Sequence, residues 1–88
     1  MRISSIETMP LFDRHYRKLP KMLKEVAKRK EILFRADAFH PSLETHKLHG
    51  KEKGVWAFSI TRKCRIKFIF LKENSVLFLD IGGHSIYT

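Results

Sequence analysis

At 88 residues the chain can hold one domain with a modest core but not two, and its 43% hydrophobic content with seven phenylalanines excludes disorder. Eighteen Lys and Arg against nine Asp and Glu leave a formal charge of +9. A polyanion is therefore the expected partner class, nucleic acid ahead of an anionic membrane, because each phosphate neutralised by a cation releases counterions.

A plain solvated basic surface is the alternative reading of that charge. No apolar run is long enough to span a bilayer, and residues 1–10 lack the apolar stretch of an export signal. Cys64 is the only cysteine and sits in an apolar run, so it is expected to pack as a small hydrophobe. A cytoplasmic protein with no membrane partner is expected.

Residues 2–7, RISSIE, alternate weakly and predict a first strand. Pro10 then suits the first turn of a helix, with Thr8 as its candidate cap. Phe12, Tyr16 and Leu19 fall at i, i+4 and i+7 and form one apolar stripe. Pro20 ends that helix and starts a second over 20–37, in which Leu23, Val26 and Leu33 keep helical spacing.

From His40 to Gly54 the helical period is lost, and Pro41, Gly50 and Gly54 bound a polar loop that contains His46 and His49. Three strands follow over 55–61, 64–71 and 75–82, joined by short basic or polar turns. The expected architecture is α+β: two antiparallel helices on one face of a mostly antiparallel four-stranded sheet, in the order β-α-α-β-β-β. Alternation assigns Trp56, Phe58, Ile60, Ile66, Phe68 and Phe70 to the covered face. It leaves Ala57, Ser59, Thr61, Arg65 and Lys67 on an open one. Asp80 is expected to share the face of Phe78 and to pair with Arg65 or Lys67.

Between residues 46 and 67 the chain carries seven Lys or Arg and one acid, Glu52. Lys51, Lys53, Arg62, Lys63 and Lys67 in that density favour a phosphate track. His46 and His49, separated by two residues, also invite a metal reading. Even with His84 or Cys64 they supply too few ligands for a zinc site, so no metal or other cofactor is expected.

The strings KLHGKEKGVWAFSITRKCRIKFIF and LFLDIGGHSIYT resemble the C-terminal half of the RelE/ParE toxin superfamily, most closely its YafQ and YoeB branch. Leu48, Gly50, Gly54, Trp56, Arg65, Ile66, Gly82, His84 and Tyr87 carry the likeness in order, and the preceding strand and helix pair extend it over nearly the whole chain. The resemblance implies a toxin of a toxin–antitoxin pair that cuts messenger RNA in the ribosomal A site without a metal. It implies a cognate antitoxin as partner, together with the small ribosomal subunit and mRNA. Matched position by position, His46 corresponds to a general base, Arg65 to the arginine that stabilises the pentavalent phosphate, and His84 to the general acid. Tyr87 lies near an aromatic that packs on a base, while His49 has no firm match and is a candidate accessory phosphate contact. Asp80 stands where some relatives have arginine; one branch also has a histidine near Ser59 and an acid near Cys64.

The chemistry is consistent with those residue types. Metal-free RNA cleavage needs a base for the 2′-hydroxyl proton, a cation for the charge gathering on phosphorus and an acid for the leaving 5′-oxygen. Two imidazoles and a guanidinium supply all three. Two rival readings remain open from sequence: a ParE-like gyrase inhibitor, which needs no acid–base pair, and a catalytically degenerate RNA- or partner-binding module, for which Asp80 is the main hint.

Overall fold

The computed structural model describes residues 1–83, so His84 and Tyr87 lie outside the described residues. In chain order the elements are β1 (Ser5–Thr8), α1 (Pro10–Arg17), α2 (Lys21–Ala36), a 3-10 turn (Pro41–Leu43), β2 (His46–Lys47), β3 (Trp56–Ser59), β4 (Arg65–Phe70) and β5 (Ser75–Gly82). They form one five-stranded sheet in the order β1-β5-β4-β3-β2, with β1 parallel to β5 and every other pair antiparallel. The α+β class is as expected from the sequence. The fifth strand is not: the loop assigned to residues 40–54 contributes β2, whose two residues pair with Ala57 and Trp56. Two polar residues carry no alternation, so nothing in their own chemistry marks them as a strand.

Two of the three prolines punctuate the helices. Pro10 occupies the first turn of α1, where its missing N–H costs no helical bond, and Pro20 stands at the start of α2. Thr8 does not cap α1. It remains in β1, and Met9 holds the cap position without a side-chain hydrogen bond.

The core is aromatic and centred on Phe34 of α2. Its ring stacks on Phe58 at 4.3 Å and meets Phe68 and Phe78 edge-on at 5.0 and 5.8 Å. Phe12 of α1 adds a tilted contact to Phe78 at 5.3 Å. Each fully buried phenylalanine contributes about 1.5–3 kcal/mol by removal from water, so this quartet dominates what a chain of this size can gather. The helical stripe read from spacing is peripheral by comparison: Leu23, Val26 and Leu33 are half-buried, while Ala27 and Phe34 lie at the centre.

A bulge corrects the face assignment in β5. Lys67 pairs with Asp80 and Phe68 with Phe78, which leaves Leu79 as an extra residue. The alternation that buries Val76 and Phe78 therefore resumes at Ile81, opposite Ile66, and not at Asp80. Instead of following Phe78, the Asp80 carboxylate accepts from His15 Nδ1 of α1 at 2.6 Å and from the Ile81 N–H at 2.8 Å.

After α2 the chain turns at Asp37. The Met1 ammonium at 2.9 Å and the Phe39 N–H at 3.0 Å both donate to its carboxylate, and they hold that carboxyl below the ordinary carboxylate range. This turn sets Phe39 against Trp56 and Phe70, with ring centroids 5.7 and 6.0 Å away. Phe39 remains 44% exposed, so Trp56 joins a half-covered aromatic cluster at the margin of the core. No helix among the described residues is long and apolar enough to cross a membrane.

Candidate active site

The second face of the sheet begins from two small side chains. Ala57 and Ser59 alternate with the core residues Phe58 and Ile60, yet both are buried, so this face is not the open surface that alternation alone suggests. Register explains what surrounds them. His46, Ala57 and Lys67 lie directly across from one another on β2, β3 and β4, and Ser59, Arg65 and Gly82 form the next row of the same parity. Neighbouring strands are about 4.8 Å apart, so His46 and Lys67 flank Ala57 with backbones roughly 10 Å from each other.

A cleft of about 270 Å³ opens over this floor, lined by His46, Leu48, His49, Glu52 and Arg65. Arg65 is half-buried, with its Nε atom buried. Cys64 precedes it, and burial pushes that thiol above its ordinary value, as expected of a small packed hydrophobe.

The local backbone fixes the chemistry of His46. Leu43 is fully buried and anchors the 3-10 turn, and Thr45 donates its hydroxyl to the Ala38 carbonyl. Between them Glu44 adopts a left-handed conformation with φ +50°, which costs a non-glycine residue on the order of 1 kcal/mol. Its carbonyl lies 2.9 Å from His46 Nδ1. A carbonyl can only accept, so Nδ1 carries the hydrogen and Nε2 carries the lone pair of the neutral ring. His46 thus has one nitrogen committed to its own turn and the other free to take a proton.

Glu52 is the lining residue that sequence reasoning did not place. Its carboxylate accepts from Lys67 Nζ, and the Lys67 side chain is only 12% exposed. The pair ties the loop after β2 down onto β4. The signal was present in the sequence: one acid among seven cations is the natural partner for whichever cation is least exposed.

The residues assigned from sequence therefore divide. His46, His49 and Arg65 meet in the cleft, and Lys67 sits beside it in the ion pair. Lys53 lines an adjoining pocket with Lys47 and His49. Lys51 is exposed and lines neither of the two. Arg62 and Lys63 are exposed on the β3–β4 turn, away from the cleft lining. At the end of β5, Gly82 stands opposite Arg65, and a Cβ on Gly83 would meet the Lys63 carbonyl at 3.2 Å, a close approach that favours glycine. Among the described residues no three His, Cys, Asp or Glu side chains are arranged to hold a metal ion, so His46 and His49 find no third ligand there.

No protein-family model matches the sequence, and no curated protein matches it. Solved structures do match its shape. The YoeB/ParE toxin from Agrobacterium tumefaciens superposes with a TM-score of 0.78 at 13% identity, covering 92% of this chain and 99% of that one. The archaeal RelE–RelB complex from Pyrococcus horikoshii OT3 gives 0.72 at 11% identity over 94% and 96% of the two chains. The Escherichia coli DinJ–YafQ toxin–antitoxin complex gives 0.68 at 18% identity over 98% and 97%. The chain has the fold of the RelE/ParE toxin superfamily.

Proposed function

We propose that this protein is the toxin of a toxin–antitoxin pair and that it cleaves messenger RNA on the ribosome by attack of the 2′-hydroxyl on the neighbouring phosphate, without a metal. The cleft carries this reading through one feature above all: a histidine whose tautomer is fixed by a backbone carbonyl lines the same wall as a half-buried arginine. His46 Nε2 removes the 2′-hydroxyl proton. Arg65 takes the charge that gathers on the phosphate oxygens, which is worth most in a partly desolvated position. His84 donates to the leaving 5′-oxygen. It lies two residues beyond Gly82, which the register sets across from Arg65.

Glu52 is a poorer base than His46 because its carboxylate is engaged by Lys67. The +9 charge supports ribosomal and messenger RNA as partners, and an acidic antitoxin as the protein that covers the cleft. Structures of the same fold include complexes named for a RelE–RelB pair and for a toxin–antitoxin pair, which supports the antitoxin assignment.

Controlled expression followed by mapping of messenger ends tests the proposal. Cleavage within codons on translating ribosomes, insensitive to chelator and lost in His46→Ala, Arg65→Ala and His84→Ala, is the expected result. Full growth arrest by all three variants, or inhibition of DNA supercoiling in place of messenger cleavage, overturns it.

A further inference from the structure

Beside the cleft lies a second pocket of about 450 Å³, lined by Lys47, Leu48, His49, Gly50, Lys53 and Gly54. Leu48 and His49 belong to both walls, so the two spaces are continuous along the loop after β2. Alternation divides the two residues of β2: His46 shares the face of Ala57, and Lys47 shares the face of Trp56. A chain leaving the cleft at His46 and rounding this edge strand therefore meets Lys47 and then Trp56 with Phe39, which is 44% exposed. The cations differ in kind from Lys67. Lys67 is committed to Glu52, whereas among the described residues neither Lys47 nor Lys53 is paired with a carboxylate, and both are exposed. Cations alternating with an exposed aromatic ring suit a single strand, whose phosphates need charge and whose bases need a flat apolar surface.

We infer that the edge hairpin is a second nucleic-acid subsite, in which Lys47, Lys53 and His49 hold phosphates of single-stranded RNA flanking the cleaved linkage and Phe39, backed by Trp56, stacks one of its bases. This extension rests on the ribonuclease reading of the cleft and assigns the direction in which the bound strand leaves it. Its role is affinity and positioning, since Lys47, Lys53, Phe39 and Trp56 lie outside the cleft lining.

Trp56 is the only tryptophan, so its fluorescence reports directly on the subsite. Oligouridylates of two, four and eight nucleotides are titrated at several salt concentrations. Wild-type protein should bind the octamer at least tenfold more tightly than the dimer and change Trp56 emission only with the longer strands. Lys47→Gln with Lys53→Gln should lower the salt slope for the octamer by about 1.4, because single strands give about 0.7 per phosphate contact, while dimer affinity stays unchanged. The corresponding double arginine variant should restore it. Phe39→Ala should cost about fivefold or more on the octamer and nothing on an abasic ribose-phosphate strand of equal length.

Equal octamer binding by wild type and the Lys47→Gln, Lys53→Gln variant, or a wild-type affinity independent of length, overturns the subsite. If Arg65→Ala still weakens dimer and octamer alike in that case, the cleft reading stands without it. If the wild-type protein binds none of the strands, the subsite falls, and cleavage within codons on translating ribosomes decides the cleft reading separately.

Discussion

The two faces of one sheet are built on different rules. On the helix side β3 and β4 present Phe58, Ile66 and Phe68, all essentially without exposure, and Phe34 closes over them. On the other side the same two strands present Ala57, Ser59, Arg65 and Lys67, and the loop after β2 closes over them through Glu52. The first face gains stability from volume. The second gives up volume for a floor of small residues with charge around it. A strand of six residues can thus serve stability and chemistry separately, because successive side chains point to opposite faces.

That separation is open to attack at both faces. The largest effect is expected at Phe34→Ala, which should cost about 3–5 kcal/mol in urea unfolding through the cavity left among three rings. Below the unfolding transition its cleavage rate should remain near that of the wild type. Arg65→Ala is the mirror image. Its cleavage rate should fall about 100- to 1,000-fold, the range for loss of one electrostatic donor at a transition state, while the unfolding midpoint shifts little. A variant at either position that damages both properties equally would show that the faces are coupled.

Glu52→Gln sharpens the boundary between them. Loss of the carboxylate leaves the mostly buried Lys67 less well matched, with a cost of about 1 kcal/mol by chemical denaturation. Removing an anion from the cleft should tighten oligonucleotide binding a few-fold, and cleavage should persist. Abolished cleavage would move the role of base from His46 to Glu52.

The smallest effect is expected at Cys64. Burial holds its thiol above the ordinary value of 9.0, so the unfolded chain loses that proton first as pH rises. Stability should therefore decline above about pH 9, and the Cys64→Ala variant should show a shallower decline over the same range. Urea melts at pH 8 and pH 10 measure the difference. Identical slopes would place the thiol in a more solvated setting.

The sequence carried the strand half of the helix side and missed the centre of α2, Ala27 and Phe34. Phe12, Phe58, Ile60, Ile66 and Phe68 repeat with helical or strand period, and prolines mark where α1 and α2 begin. Phe34 was harder to rank, since spacing alone gives it no advantage over Leu33; only the three rings around it make it central. The cleft side was legible as a list of residue types and much less as a shape. β2 is two polar residues long, and its pairing depends on a partner strand ten residues away. The bulge at Leu79 likewise leaves no mark in composition, yet it sets Asp80 in place of Leu79 opposite Lys67, while the Asp80 carboxylate bonds His15. The resemblance therefore named His46 and Arg65, long-range register set them in neighbouring rows of one sheet face, and His49 joins them in the cleft lining.

The chemical ends of the cleaved RNA test the central claim most directly. Attack by the 2′-hydroxyl, started by His46 and stabilised by Arg65, leaves a 2′,3′-cyclic phosphate upstream and a 5′-hydroxyl downstream. Fragments from translating ribosomes treated with the purified protein should carry those ends, and His46→Ala should abolish them. Fragments ending in 3′-hydroxyl and 5′-phosphate, or cleavage that persists undiminished in His46→Ala, would contradict the account.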